Sequence, residues 1–121
     1  MTPEQDNKAT VGRLYQAFRA GDTAALDGLL ASDFINHNPR TTNGLDASKA
    51  LFAQVGAIDA DLHRMVAEGD LVAVHVHGKQ RPDDRGIVSM DMFRVENGRL
   101  VEHWDVSQEI PETSANDNGM W

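Results

Sequence analysis

The 121-residue sequence contains no cysteine, only four prolines and no long apolar run. The absence of cysteine excludes disulfides, thiol nucleophiles and thiolate metal sites, and it is in keeping with a cytoplasmic protein. No stretch predicts a membrane span, and the acidic, polar start of the chain does not resemble a secretory signal. Lys and Arg number 11 against 19 Asp and Glu, a formal net charge of −8. Binding to a nucleic-acid backbone is therefore not expected.

Apolar residues make up 40% of the chain and charged residues 25%, which are typical values for a globular protein. A chain of this length is expected to form one domain, residues 1–121, with an irregular tail over residues 110–121. The tail is polar until Met120 and Trp121. Because termini seldom end in such residues without a contact, we expect this pair to pack against the body or a partner subunit.

The first half of the chain carries the patterns of three helices. Thr2 and Gln5 have the spacing of a capping box, and Gly21 is a helix stop signal. A short second helix is predicted after Asp22, and a third helix is predicted with Asp46 as its cap. The segment "DFINHNP" before the third helix is expected to be extended or irregular.

After about residue 60 the apolar period changes to two residues, which predicts strands. Four are expected: Leu62–Ala67, Leu71–His77, Ile87–Val95 and Leu100–Gln108. Helices followed by an antiparallel sheet predict an α+β fold with the helices on one face of the sheet.

The turn between the last two strands decides which side chains share a face with Asp105, because one residue of slip turns every side chain over. A two-residue turn at positions 97–98 has the usual Asn-Gly sequence and would place Asp91 opposite Trp104. A three-residue turn would pair Asp91 with His103 and bring both aspartates to one face. The pattern alone slightly favours the shorter turn.

The segments "HNP", "AEGDLVAVHVHG" and "MDMFRVENGRLVEHWDV" resemble the nuclear transport factor 2-like superfamily, above all its SnoaL-like polyketide cyclases, with ketosteroid isomerase more distantly similar. The resemblance covers nearly the whole chain in element order, and its specific part is residues 87–108. It implies a cone-shaped fold in which a strongly curved antiparallel sheet wraps around the N-terminal helices and encloses an apolar pocket. It also implies the longer turn, with these residues facing the pocket: Asp91, Phe93, His103 and Asp105.

Asp105 resembles the acid/base aspartate of the SnoaL-like cyclases, which moves a proton to and from carbon during an aldol ring closure. An apolar cavity suits this role, because a carboxylate that has lost hydration is a stronger base. Asp91 matches the position at which ketosteroid isomerase keeps a protonated aspartic acid as hydrogen-bond donor. The alternative for Asp91 is a structural pair with His103, which is itself a candidate catalytic residue.

The stretch "INHNP" departs from ketosteroid isomerase, in which the catalytic base stands just before the proline. Asn38 occupies that position and cannot accept a proton, which argues against isomerisation of the ketosteroid type. His37 is a candidate catalytic substitute or substrate ligand, and the alternative is ordinary turn chemistry. Asn38 is a candidate substrate-binding residue. The other candidates for that role are Tyr15, Val74, Val76 and Phe93.

If Val74 and Val76 form the pocket wall, His75 and His77 lie on the outer face of their strand. A His-x-His pair on a strand can hold a metal ion, but neither a metal site nor a cofactor is expected here.

With Asp105 facing inward, the last two strands present an apolar outer face: Met90, Met92, Leu100, Trp104 and Val106. This surface is large for so small a domain, which predicts a homodimer across it. The tail is expected to lie near the pocket opening.

The predicted function is that of a cofactor-independent acid/base enzyme, of the aldol cyclase, isomerase or lyase type, acting on a small carbonyl compound. One alternative is a non-catalytic ligand-binding or association module, since this fold serves both ends. Another is an epoxide hydrolase-like or dehydratase-like enzyme. The epoxide reading needs an Arg-bridged acid, and Arg94 on the outer face fits that need poorly.

Overall fold

Helix α1, Pro3–Ala20, begins and ends at its predicted capping residues in the computed structural model, which describes residues 1–121. The Thr2 hydroxyl accepts a hydrogen bond from the Gln5 backbone N–H at 3.1 Å, and Gln5 Oε1 accepts one from the Thr2 backbone N–H at 2.8 Å. Gly21 ends the helix with φ 64°, a left-handed conformation that a side chain would strain. The capping-box prediction is confirmed.

Two further helical segments follow. A 3₁₀ turn over Thr23–Ala25, capped by Asp22, leads into the short helix α2, Leu26–Leu29. Helix α3 spans Leu45–Val55, so a glycine, and not Asp46, occupies its cap position. Asp46 lies in the first turn, where a negative charge interacts favourably with the helix dipole.

Five strands form one sheet in the order β1-β5-β4-β3-β2. They are β1 Leu30–Asn36, β2 Asp59–Glu68, β3 Leu71–Lys79, β4 Ile87–Glu96 and β5 Arg99–Glu109. The α+β prediction is confirmed, and the four predicted strands are β2 to β5. The prediction of a wholly antiparallel sheet is wrong in one respect, because β1 is a fifth strand that pairs parallel to β5.

The register of β4 against β5 differs from both sequence alternatives. The turn has two residues, both with positive φ, so the implied three-residue turn is wrong. Val101 is left unpaired between Leu100, which pairs with Val95, and Glu102 further along β5. This β-bulge shifts the register by one residue and places Asp91 opposite Asp105, rather than opposite His103 or Trp104.

The concave face of the sheet packs on helix α1 and forms the core. Leu100 is fully buried in this core, because the bulge follows it and only the residues after the bulge change sides. Its predicted place on the outer face is wrong. Val74 is also fully buried against other core residues and does not line the cavity, so its prediction as a pocket residue is wrong. Val76 does line the cavity.

The tail after β5 has no helix or strand, and its last residue contacts the body of the domain. The Trp121 ring stacks on His77, with ring centroids 4.2 Å apart and planes 11° from parallel. His77 lies on the outer face, since its neighbour Val76 points into the cavity. Trp121 is therefore not at the pocket opening. None of the helices combines the length and the apolar character that a membrane span needs.

Candidate active site

A cavity of about 240 Å³ opens between the two long helices and the concave face of the sheet. Its lining is mostly apolar, with Phe18 and Phe52 stacked on the helical side. The volume is slightly below the range of about 300–1,000 Å³ that is common for ligand sites, so the cavity suits a small molecule. Polar side chains line its other side.

Strands β4 and β5 supply most of these polar groups, because every second residue of a strand faces the same way. From β4 come Ser89 and Asp91, and from β5 come His103, Asp105 and Ser107. The bulge after Leu100 is what brings the two sets together. The family resemblance implied that the two aspartates and the histidine share one face, and the structure brings them together by a different register.

Asp91 is a buried carboxylate with two close partners. The Tyr15 hydroxyl donates a hydrogen bond to Asp91 Oδ2 at 2.8 Å, and His103 Nε2 lies 3.0 Å from Asp91 Oδ1. The sequence left open whether the Asp91 carboxylate would bond to His103, and in the structure the two side chains are in contact. Phe93 stacks against the His103 ring, with centroids 4.7 Å apart, which fixes the ring orientation.

The contact of His103 Nδ1 identifies which ring nitrogen carries hydrogen. Nδ1 lies 3.1 Å from Asn36 Oδ1, an oxygen that also accepts the Asn38 backbone N–H at 3.0 Å. Nδ1 therefore carries hydrogen and donates to Asn36. The contact between Nε2 and Asp91 then requires a further proton, held either by an imidazolium or by a carboxylic acid. The pair Asp91–His103 thus stores one exchangeable proton beside the cavity.

Asp105 differs from Asp91 in having no charged partner. The Asn38 side-chain amide donates to both of its oxygens, at 3.1 and 3.0 Å. Asn38 Oδ1 in turn accepts the Arg40 backbone N–H at 2.9 Å, which fixes the amide with its NH₂ group towards Asp105. A half-buried carboxylate that is held only by a neutral donor keeps free lone pairs facing the cavity.

Tyr15 is buried at the cavity wall on helix α1. Burial is the main factor that raises the pKa of Tyr15 well above its usual value, and the charge and hydrogen bond of Asp91 raise it further. The phenol therefore remains a hydrogen-bond donor across the neutral pH range.

His37 lies outside the cavity. Asn36 pairs with His103 and faces the cavity side of the parallel β1–β5 pair, so the next residue faces away. The His37 ring stacks on Trp104 at 5.0 Å, and its Nε2 lies 2.8 Å from Glu102. This contact is the main factor that lowers the pKa of Glu102. The prediction that His37 joins the catalytic group is wrong in its placement.

Three serines that line the cavity were not among the predicted site residues. Ser89 and Ser107 each lie two residues from an aspartate, on the same face of the strand. The correct register would therefore have identified them. Ser48 on helix α3 also lines the cavity, and its buried hydroxyl has no hydrogen-bond partner. A buried hydroxyl without a partner is available to a ligand. The sequence carried no signal for Ser48.

The outer face of β4 and β5 is apolar but partly covered. Trp104 contacts both the His37 ring and Arg94, whose guanidinium is 5.7 Å from the indole centroid. Arg94 also forms ion pairs, at 2.7 Å with Asp70 and at 3.3 Å with Glu102. The remaining apolar side chains are exposed: Met90 by 48%, Met92 by 40% and Val106 by 76%.

One group of metal-ligating atoms lies inside the cavity. Asp91, His103 and Asp105 each offer one such atom, and the three lie within 4.8 Å of one another. Two of the three residues already bond each other and take further hydrogen bonds from Tyr15 and Asn36. The arrangement therefore fits proton transfer better than metal binding.

Comparison with known proteins gives the family. The SnoaL-like domain model matches residues 11–103. IdmH from Streptomyces antibioticus, a candidate polyketide cyclase, is 25% identical with a TM-score of 0.69, over 84% of this chain and 91% of its own. A candidate ketosteroid isomerase from Kribbella flavida DSM 17836 is 19% identical with a TM-score of 0.79, over 100% and 91%. An LEH-like epoxide hydrolase from M. tuberculosis is 16% identical with a TM-score of 0.72, over 88% and 86%. No curated protein matches the sequence.

Proposed function

The chain belongs to the SnoaL-like family, and we propose that it is a cofactor-independent acid/base enzyme that acts on a small carbonyl compound. One observation carries this proposal. Asp105 presents a carboxylate without a charged partner to a mostly apolar cavity, directly opposite a pair that holds a proton. A free base and a proton donor on facing strands are the two groups that enolate chemistry requires.

The reaction begins when the Asp105 carboxylate takes a proton from the carbon next to a substrate carbonyl. The carbonyl oxygen becomes an enolate oxygen, and the proton of the Asp91–His103 pair stabilises it by moving from the hydrogen bond inside the pair to a hydrogen bond with this oxygen. In an aldol closure the enolate carbon then attacks a second carbonyl carbon of the same molecule, and a carbon–carbon bond forms. The alkoxide that results takes the proton back from Asp105, so the enzyme returns to its initial state.

Tyr15 and Asn38 position these groups without exchanging protons with the substrate. Tyr15 holds the second oxygen of Asp91, and Asn38 holds Asp105 so that its free lone pairs face the cavity. The IdmH likeness supports cyclase chemistry for this chain, because that protein is a candidate polyketide cyclase and the two are 25% identical.

We also propose that a second copy of the chain covers the outer face of β4 and β5. Met90, Met92 and Val106 are exposed there beside Trp104. Contiguous apolar surface on two neighbouring strands supports an interface with two-fold symmetry.

The test of the enzymatic proposal is solvent deuterium exchange into the acidic carbon of a panel of small β-dicarbonyl compounds. The wild-type protein should accelerate exchange, and Asp105→Asn should remove most of the acceleration. Glu109→Gln is the matched control, because Glu109 is an exposed carboxylate on the same strand. If compounds bind, as measured by calorimetry, but never exchange, the protein is a binding module and the proposal fails.

A further inference from the structure

A second group of metal-ligating side chains lies on the outer face of β2 and β3, away from the cavity. Asp61, His63 and His77 each offer one ligand atom, and the three atoms lie within 4.8 Å of one another. Asp61 pairs directly with His77 across the two strands, and His63 follows two residues later on β2. The register shifts between Leu62 and Arg64, so His63 is the extra residue of a β-bulge. A bulge can redirect the side chain at its position.

His77 already has the hydrogen bond that metal-ligating histidines need. Its Nε2 lies 2.9 Å from the carbonyl oxygen of Arg85, and because a carbonyl can only accept, Nε2 carries the hydrogen. The tautomer is thereby fixed, and Nδ1 keeps the free lone pair that binds a metal. Metal-ligating histidines usually donate their other N–H to a carbonyl or carboxylate in this way.

The loop that supplies the carbonyl is built for this close approach. Gly86 has φ 83°, and a Cβ there would lie 2.3 Å from the Gly78 carbonyl oxygen and 3.1 Å from His77 Nε2. A side chain at this position would therefore displace the strand or the imidazole. The Arg85 side chain donates to the carbonyl of Ile110 at 3.2 Å, which ties the loop to the start of the tail.

Trp121 packs against the two histidines of this group. Its ring lies parallel to the His77 imidazole, with centroids 4.2 Å apart, and 6.3 Å from the His63 ring. Stacking occupies the face of an imidazole, whereas a metal binds in the ring plane, so the stacked indole does not lie in the direction of the Nδ1 lone pair.

The two other side chains have no competing partner. Neither the Asp61 carboxylate nor the His63 ring forms a hydrogen bond or an ion pair, and both are exposed and able to turn towards a shared ion. His75, the other histidine of the strand, is already bonded, with Nδ1 3.0 Å from the Arg64 guanidinium. The histidine pair that could hold a metal is thus His63 with His77, not His75 with His77.

We propose that Asp61, His63 and His77 bind a divalent transition metal ion, Zn²⁺ by the chemistry of the ligands. Two imidazoles and one carboxylate are a ligand set that Zn²⁺ accepts at about 2.0–2.2 Å, and the fourth position is left to water. The ion links β2 to β3 under Trp121, on the side of the sheet opposite the cavity. Asp61 neutralises part of the charge of the ion, and the net charge of −8 attracts cations to the protein.

The test is Zn²⁺ titration of the EDTA-treated full chain by calorimetry. The wild-type protein should bind one equivalent, and His77→Phe and His63→Ala should each weaken binding by at least about tenfold. His77→Phe keeps a ring against Trp121 but has no nitrogen, and His63 is exposed, so the second variant tests the site even if the first is unstable. His75→Ala is the matched control and should bind like the wild type.

A second measurement locates the ion. With Trp104→Phe, Trp121 is the only tryptophan, and Co²⁺ at the site should quench its fluorescence. Asp105→Asn should leave Zn²⁺ affinity unchanged, because it alters only the group in the cavity. Wild-type affinity in His63→Ala, or in a folded His77→Phe, would overturn the proposal. So would absence of Zn²⁺ binding in the wild type, or loss of binding in Asp105→Asn with no loss in His63→Ala.

Discussion

Asp91 and Asp105 lie directly opposite each other on β4 and β5, although the two-residue turn between these strands would by itself place Asp91 opposite Trp104. The unpaired Val101 accounts for the difference, because one extra residue in β5 turns every later side chain over. The polar group of the cavity therefore depends on a local irregularity of the strand as much as on the aspartates themselves.

Replacing Asp105 with Asn should reduce turnover far more than substrate binding. The substitution keeps the shape of the side chain but removes the proton acceptor, and a positioned acid/base group contributes about 10²–10⁴-fold to the rate. The measurement is kcat and KM on whichever β-dicarbonyl compound exchanges fastest. An equal rise in KM with unchanged kcat would mean that Asp105 only binds the substrate.

Asn38→Leu should lower kcat while leaving the fold intact. The variant removes both hydrogen bonds that orient Asp105, and misplacement of a catalytic group can cost about 10²-fold in rate. Asn43→Leu, on the same connection but bonded only to the Asn36 backbone N–H, is the control. Wild-type turnover in Asn38→Leu would show that Asp105 needs no positioning residue.

Tyr15→Phe should destabilise the protein by about 1–3 kcal/mol, because it leaves a buried oxygen of Asp91 without its donor. The measurement is urea unfolding at neutral pH. Phe18→Leu, at another aromatic position of the same helix, provides a comparison in which no hydrogen bond is lost. A stability equal to that of the wild type would mean that solvent replaces the phenol.

The same substitution should change how stability depends on alkaline pH. The pKa of Tyr15 is raised in the folded state, while the unfolded chain ionises near pH 10. Between those two values the folded state binds more protons than the unfolded state, so the free energy of unfolding falls as pH rises. The stabilisation is complete below about pH 10 and is lost as pH rises through the folded-state pKa. Tyr15 is the only tyrosine, so Tyr15→Phe should lack this decline. Identical pH profiles for both proteins would contradict the expectation.

Sedimentation should show a dimer for the wild-type protein and a monomer for Trp104→Glu. The substitution places an unpaired charge in the proposed interface, where the cost of burying it weakens association. Glu96→Gln, a change at the exposed end of β4, serves as the control for altered charge. A wild-type monomer would leave the outer face without a second copy.

Trp121→Ala should lower the melting temperature of the metal-free protein. A stacked aromatic pair is worth about 0.5–1.5 kcal/mol, which corresponds to a few degrees for a domain of this size. Differential scanning calorimetry in the presence of EDTA measures the change. An unaltered melting temperature would mean that the tail contributes nothing to the stability of the domain.

Local signals in the sequence were enough for the helices and most strands. Thr2 and Gln5 cap α1 as their spacing predicts, and β2 to β5 follow from a two-residue apolar period. The family resemblance added the pocket face of β4 and β5. These features depend on neighbouring residues or on a motif, so one sequence suffices to find them.

The features that were missed depend on contacts between distant parts of the chain. Strand β1 exists because Leu30 and Asn36 pair with β5, seventy residues or so further on, and no local period announces it. The direction of His37 follows from that pairing. The bulge at Val101 likewise has no marker in the sequence. It is needed only because Leu100 packs in the core while Asp105 faces the cavity, and both depend on tertiary contacts. Val74 and Val76 are both buried on the inner face of β3, and only Val76 lines the cavity, a difference that a two-residue period cannot show.

The bulge at Val101 sets a rule for engineering this hairpin. Substitutions that keep the number of residues in this hairpin constant leave the side chains of β5 on their present faces, provided that the buried Leu100 and the positive-φ residues at positions 97 and 98 are retained. Inserting or deleting one residue there exchanges the contents of the two faces, so that Trp104 enters the cavity while Asp105 moves to the outer face. A new substrate range can therefore evolve in this scaffold by substitutions in the hairpin, but not by changes in its length.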